Sequence, residues 1–537
     1  VISNTFNQRF WWRSLVIIIL ILGIIFRFVN LEEKIYWHDE VYTSLRAAGF
    51  TSQEVYEQGF QNQLLTPAQL LKFQAIKPDS TVIDTIYSLA IEDPQHPPLY
   101  FILARYWMQL FGSSFTAFRS LPALISLLSW VFICLLAREI FGQKLTAPLA
   151  VILLAISPFD ILFAQIARQY SSLTFLVIAS TYFLFKADKN NRSINWIYYT
   201  IVSLLGLYTH PFFALTLFGH GLFIVSKLIL TTEWRKFSWE KALNYWWRSP
   251  LKLYLLSSVI NISLFFPWLL VIKSNSQRAL NSTSWAASFD SLEVIKYWIL
   301  SFSSLFTDLY FGNNLATYSY RLLYIAIILT AIYLVITTTK QETWLLISTS
   351  IFVPLLLLVV PDILLNTHRS AVTRYLIPCF PGIQLAVAYL VSYYAKNCLK
   401  LGQIILVFLL TSSIISNSIN AISETSWSKG ISYYNGEISR IINTYHYPLL
   451  VSDRGSFTNL GNLISLAYCL DGDTRLLLLS YPPQTEKLKS ILNTAQTAIL
   501  VFRPSEELFS ELETTGAKLK SIFPKDDSLW ELKLKSK

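Results

Sequence analysis

Eleven apolar runs limit what this chain can fold into. They lie at about residues 14–30, 116–138, 146–163, 170–186, 194–209, 211–230, 252–273, 320–338, 343–360, 372–395 and 402–420. At about 17 to 25 residues each, and about 1.5 Å of rise per residue, a helix crosses the roughly 30 Å of a bilayer's hydrocarbon. Lipid offers the backbone no hydrogen-bond partners, so the runs are expected as helices. Composition agrees: 53% of the 537 residues are hydrophobic, only 14% are charged, and mean hydropathy is +0.45, beyond what soluble domains carry. The expected fold class is a polytopic α-helical membrane protein of about 11 transmembrane helices. Trp and Tyr gather at run ends, as in Tyr245-Trp246-Trp247 and Tyr393-Tyr394, where an apolar ring with a polar tip suits the headgroup layer. The first run is long for the core of a cleavable signal and no small-x-small site follows, so it reads as a signal anchor. The chain opens on Val, which leaves a start further upstream open.

Lys and Arg are retained on the cytoplasmic side of membrane proteins. With the N-terminus inside, the cytoplasmic segments are 1–13, 138–144, 186–192, 227–252, 340–342 and 396–400, holding 16 Lys and Arg against five acids. The +10 formal charge is thus mainly a topology signal and calls for no nucleic-acid partner. Pro98 to Gly112 is apolar but only about 15 residues long and carries Arg105, too short to cross. It is expected to lie flat in the outer interface, which keeps every basic segment inside.

Two extramembrane regions follow from this topology. Residues 31–115 form a large first external loop, with ten acids and four bases between 31 and 96. The membrane domain then extends over 1–424, and 425–537 changes character. Strands are expected over 448–452, 475–480 and 497–502, with helices over 458–470, 484–495 and, capped by Ser505, to Thr515. That alternation predicts a small soluble α/β domain of accessory role on the extracytoplasmic side. Cys134, Cys379, Cys398 and Cys469 are too scattered for a metal or disulfide framework.

Several motifs fall in a fixed order. Asp39-Glu40 follows the first run; His96-Pro97-Pro98-Leu99-Tyr100 opens the interfacial helix, which ends Leu110-Phe111-Gly112; Arg119 to Leu124 comes next. Then follow Ser157-Pro158, Gln165-Ile166-Ala167-Arg168-Gln169-Tyr170, Tyr208-Thr209-His210 and Thr373-Arg374-Tyr375-Leu376-Ile377-Pro378. Over about residues 14–395 the set resembles the GT-C membrane glycosyltransferases. It is most similar to glycosyltransferase family 39, which includes protein O-mannosyltransferases and lipid A aminoarabinose transferases. The resemblance implies a hexosyl- or pentosyltransferase that inverts the anomeric centre. It also implies a polyprenyl-phosphate-linked sugar donor, a glycan, lipid or protein hydroxyl as acceptor, and a site on the non-cytoplasmic face of the inner (plasma) membrane. The chain departs from the pattern at Ile166, where many bacterial members carry Glu, and near Tyr170, where the O-mannosyltransferases carry Asp. No cofactor is implied with certainty; a divalent metal ion stays open, since no ligand cluster of convincing spacing is present.

The chemistry narrows the candidates. A sugar on a phosphate carrier has a good leaving group, so transfer needs a base for the acceptor and cations for the departing phosphate. Asp39 is the expected catalytic base, or else the cap of a helix over 40–48 that Gly49 ends. Glu40 is a catalytic partner touching acceptor or metal, or a solvated first-turn acid. Arg168 and Arg374 begin two runs and present forks suited to phosphate, or else snorkel to headgroups. His96 joins them as a donor-phosphate ligand, or else holds the acceptor loop. His38, Tyr170 and His210 are substrate-contact candidates, with water-facing or structural roles open for His38 and His210. Both His96 and His210 precede proline, which holds them extended. The rival classes are a lipid-linked-sugar transporter and a non-catalytic scaffold of the same fold. A transporter would show related halves and charges at mid-span, neither of which is evident.

Overall fold

The computed structural model describes residues 2–231, 250–281, 290–309, 314–455, 457–483, 497–514 and 517–533. The helix expected over 484–495 and the basic stretch 232–249 lie outside the described residues.

The chain forms two compact units. The first comprises 1–29, 93–100 and 119–422, and the second 30–92, 101–118 and 423–537. Most of the loop that precedes the second apolar run therefore folds with the C-terminal residues.

The first unit is helical. Among the described residues eight helices are long and apolar enough to cross a membrane, or nine when the bent pair Thr146–Ala155 and Pro158–Ala164 is taken as one span. Helices also occupy the two remaining expected positions, at Ile2–Phe28 and Ser193–Thr209. Rows of exposed Ile, Leu and Val, such as Ile17, Ile21 and Ile24 on the first helix, suit contact with lipid chains. The bent pair turns by 52°. Pro158 has no N–H for the helix ladder and disfavours helical backbone at the residue before it. Ser157 accordingly sits extended, at φ −57° and ψ 121°, and its hydroxyl accepts from Asp160 N.

The second unit is built on a six-stranded mixed sheet. Its strands are β1 (Leu64–Leu65), β2 (Leu449–Asp453), β3 (Arg475–Leu479), β4 (Ile499–Phe502), β5 (Lys518–Ser521) and β6 (Leu529–Lys533), in the spatial order β1-β3-β2-β4-β6-β5. β2 pairs in parallel with both β3 and β4, and all three are buried but for Arg475 at the start of β3, as parallel strands covered on both faces are. Val451, Leu477, Leu479, Val501, Leu508 and Leu512 lie in its core. The three expected strands and the helix Glu506–Thr514 are present; Ser505 Oγ accepts from Leu508 N at 3.1 Å. β5 and β6 were not expected, because their alternating Lys and Glu leave too short an apolar signal. β1, of two residues, pairs antiparallel with β3 through Leu64↔Leu477 and Leu65↔Leu476.

The helix Leu99–Phe111 has 13 residues, too few to span a bilayer. Its Arg105 is fully buried rather than solvated. The guanidinium donates to Ser80 O at 2.7 Å, Ser80 Oγ at 2.9 Å and Ala47 O at 3.3 Å, joining the helix to the loop it belongs with.

Candidate active site

The second unit carries His38, Asp39 and Glu40 at the start of the helix His38–Ala48. Trp37 is the N-cap, so Asp39 is not the capping residue. It lies inside the first turn, where a carboxylate is favoured by the helix dipole. Gly49 ends the helix as expected, at φ +92°, a conformation in which a Cβ is strained. Trp has no side-chain acceptor, so only the acid's half of a capping box forms: Glu40 Oε2 accepts from Trp37 N at 3.0 Å. The same oxygen meets Lys429 Nζ at 3.1 Å, and that ammonium also donates to Ile35 O at 2.8 Å. Glu40 is 0% exposed, which excludes the solvated first-turn acid.

Neighbouring residues on a helix point about 100° apart. Asp39 accordingly lies on a different side from Glu40, and its side chain keeps 19% exposure. His38 Nε2 stands 2.9 Å from Asp39 Oδ1, so the imidazole faces the carboxylate rather than water. His38 N is fixed in turn by Ser432 Oγ at 3.0 Å. The arrangement orients one partly accessible carboxylate and buries its neighbour.

The first unit brings the cationic candidates together. Arg168 and Gln169 end the turn that links the bent span to the helix Tyr170–Asn190. Arg168 is 5% exposed, and its Nη2 donates to His96 Nε2 at 3.4 Å, so it does not reach out to headgroups. Gln169 Nε2 lies 3.2 Å from His96 Nδ1. Arginine can only donate, so Nε2 of His96 accepts, and a neutral ring then carries its proton on Nδ1. Gln169 Oε1, buried and otherwise without a hydrogen-bond partner, receives that proton once the amide is turned over. The three side chains thus fix a single tautomer.

His210 is extended, at φ −156° and ψ 134°, as its place before Pro211 requires. Its Nδ1 accepts from Phe212 N at 3.1 Å, which leaves the proton on Nε2. Burial first, with the Arg168 and Arg374 charges nearby adding to it, holds its pKa well below the usual imidazole range. The ring of Tyr170 lies 6.2 Å from that of His210 and takes the Arg168 guanidinium over its face at 5.8 Å. Arg374, in the 3-10 turn Thr373–Cys379, stands 5.4 Å from the ring of Tyr375, which packs on Phe212 at 4.5 Å. His96, Arg168, Tyr170, His210 and Arg374 therefore occupy one neighbourhood.

Lys429 and Gln169 were not anticipated. Nothing near Lys429 in sequence marks it, since its partner is 389 positions away; Gln169 was visible only as part of a motif. His368 and Arg369 belong to a turn held by Asp362, whose carboxylate accepts from Arg369 N at 2.9 Å and Ser370 N at 2.6 Å. Among the described residues no group of three or more His, Cys, Asp or Glu side chains is placed to hold a metal ion.

Residues 95–270 match a family model described as dolichyl-phosphate-mannose-protein mannosyltransferase. No curated protein matches the chain in sequence. In structure the chain is similar to ArnT from Cupriavidus metallidurans in the apo state, with TM-score 0.59 and 12% identity over 97% of this chain and 98% of that one. ArnT from the same organism bound to undecaprenyl phosphate gives 0.57 and 11%, with the same coverage. At such low identity the likeness is one of fold.

Proposed function

We propose, on the premise that this chain belongs by its fold to the GT-C superfamily of membrane glycosyltransferases, that it moves a sugar from a polyprenyl-phosphate carrier to a hydroxyl acceptor on the non-cytoplasmic face of the membrane. The observation that carries the reading is the grouping of Arg168, Arg374, His96 and His210 in one largely buried neighbourhood. Two guanidinium charges held at the ends of spans beside neutral imidazoles suit a lipid-linked phosphate and have no evident use in an inert scaffold. The family match over 95–270 and the undecaprenyl phosphate bound by ArnT support the same ligand class.

In the step proposed, the acceptor oxygen bonds to the anomeric carbon while the bond from that carbon to the phosphate oxygen breaks. The bonding pair stays with the phosphate, and the acceptor's proton passes to the Asp39 carboxylate. A single displacement of this kind inverts the anomeric centre. Arg168 and Arg374 stabilise the charge growing on the leaving phosphate, which acts where it develops and so lowers the barrier. His96, neutral and accepting from Arg168, holds that fork in place. His38 holds Asp39, and Glu40, buried against Lys429, anchors the turn that carries it. Purified protein should carry a polyprenyl-phosphate sugar detectable by mass spectrometry and transfer it to a hydroxyl acceptor. Protein that neither retains nor turns over any such donor would remove the reading.

A further inference from the structure

The break in the bent span leaves carbonyl groups without intrahelical donors. Arg27, 1% exposed near the end of the first helix, supplies them. Its Nη1 donates to Ala155 O at 2.5 Å and to Gly23 O at 2.9 Å, and its Nε to Ser126 Oγ at 2.8 Å. Close approach is built into the first helix, because a Cβ at Gly23 would stand 2.6 Å from Ala155 O. The contact is reciprocal. Gln165, the C-cap of the helix Pro158–Ala164, donates from Nε2 to Phe26 O at 2.7 Å and Val29 O at 3.0 Å, closing the last turn of the first helix.

Asp160 stands between these contacts. It lines the same cavity as Arg27, about 10 Å³ in volume and roughly enough for one water, and Ser129 Oγ on its wall has no hydrogen-bond partner among the described residues. Asp160 Oδ2 accepts from Gln384 Nε2 at 2.7 Å. Gln384 belongs to the helix Phe380–Asn397, which runs on from the turn that carries Arg374. Asp160 belongs to the helix Pro158–Ala164, which runs on into the turn that carries Arg168. One buried hydrogen bond therefore joins the two arginine-bearing segments, Gln165 ties the Arg168 segment to the first helix, and Arg27 ties the preceding half of the bent span to it. An ionised side chain so deep among spans is costly unless it has a partner.

We propose that Arg27, Asp160 and Gln384 are positioning residues that set the placement of Arg168 relative to Arg374, and so the affinity for the donor's phosphate. This rests on the donor-binding reading above. The test is a double-mutant cycle on the full chain in detergent, with undecaprenyl phosphate as the probe and thermal unfolding as the control for structure. Gln384→Met removes the bond to Asp160 at similar volume. It should weaken binding about tenfold in a protein that still folds, with a lowered unfolding midpoint because buried Asp160 loses a donor, and Arg168→Ala should cost less in that background than in the wild type. If Gln384→Met does not fold, Asp160→Asn, which keeps an oxygen for Gln384 and removes the charge facing Arg27, carries the same cycle with the same expected sign. Strictly additive losses, or unchanged affinity in a wild type that binds the probe, would overturn the positioning role alone. A wild type that does not bind the probe would overturn the donor reading and this inference together.

Discussion

Glu40 and Lys429 stand 389 positions apart in the chain and meet at 3.1 Å, with 0% and 2% of their side chains exposed. The pair anchors the turn that presents Asp39 beside His38. A buried ion pair adds little over a well-packed apolar pair, but removing one partner strands a charge.

Lys429→Met should therefore destabilise the protein by about 3–5 kcal/mol, because Glu40 is left buried and uncompensated. Adding Glu40→Gln should recover much of that loss, since the amide still accepts from Trp37 N. Thermal unfolding of the single and double variants decides it; a double variant no more stable than Lys429→Met alone would show that the pair is not the source.

Asp39→Asn should leave folding and membrane yield near wild type, because Trp37 caps the helix and the Asp39 side chain is not needed there. Transfer should fall by roughly 10²-fold or more if the carboxylate is the base. Donor binding should be retained. Turnover by the purified variant at the wild-type rate would take Asp39 out of the mechanism.

Arg168→Ala and Arg374→Ala should each weaken binding of a polyprenyl phosphate, and the corresponding Lys variants should weaken it less. A point charge keeps part of the attraction but loses the two-pronged geometry. Equal affinity in both alanine variants and the wild type would reduce the arginines to structural roles.

The side of the membrane can be read from the cysteines. Cys398 is exposed and lies in a segment expected to be cytoplasmic, so an impermeant thiol reagent should label it only after cells are permeabilised. Cys469, expected outside, is partly buried, and burial pushes its thiol up from the usual range. Its thiolate forms later as pH rises, so its labelling in intact cells should be slow near neutrality and accelerate with pH. Labelling of Cys398 alone in intact cells would reverse the orientation.

Much of the architecture could be read from the sequence, because a span or a buried strand announces itself by a local run of apolar side chains. The runs ending near residue 209 and beginning near 170 became helices with boundaries close to those expected, and Leu449 to Ser452 became a strand. Placement of Arg168 with His96 was suggested only by motif order. Their meeting depends on a turn after Pro158 that brings positions 72 apart into contact. What stayed hidden was long-range. No local pattern links Glu40 to Lys429, Leu64 to Leu477 or Asp160 to Gln384, since polar pairing across the fold leaves no periodicity to detect. The exact start of the helix at His38 was also hidden, because Asp39 looks like a cap until Trp37 is seen to occupy that place.

The two-residue strand Leu64–Leu65 has a bearing on how the chain is made. Its partners on β3 are synthesised some four hundred residues later, as are Glu424, whose carbonyl accepts from Ile35 N at 2.8 Å, and Lys429. The early loop therefore leaves the ribosome long before its sheet exists. It must wait, with the backbone of Leu64 unpaired and Ile35 and the buried side of the Asp39 turn uncovered, until residues 424–479 arrive. Assembly of this unit thus waits on a distant part of the chain, and loss of the segment that holds Glu424 and Lys429 would leave the turn that carries Asp39 without its support.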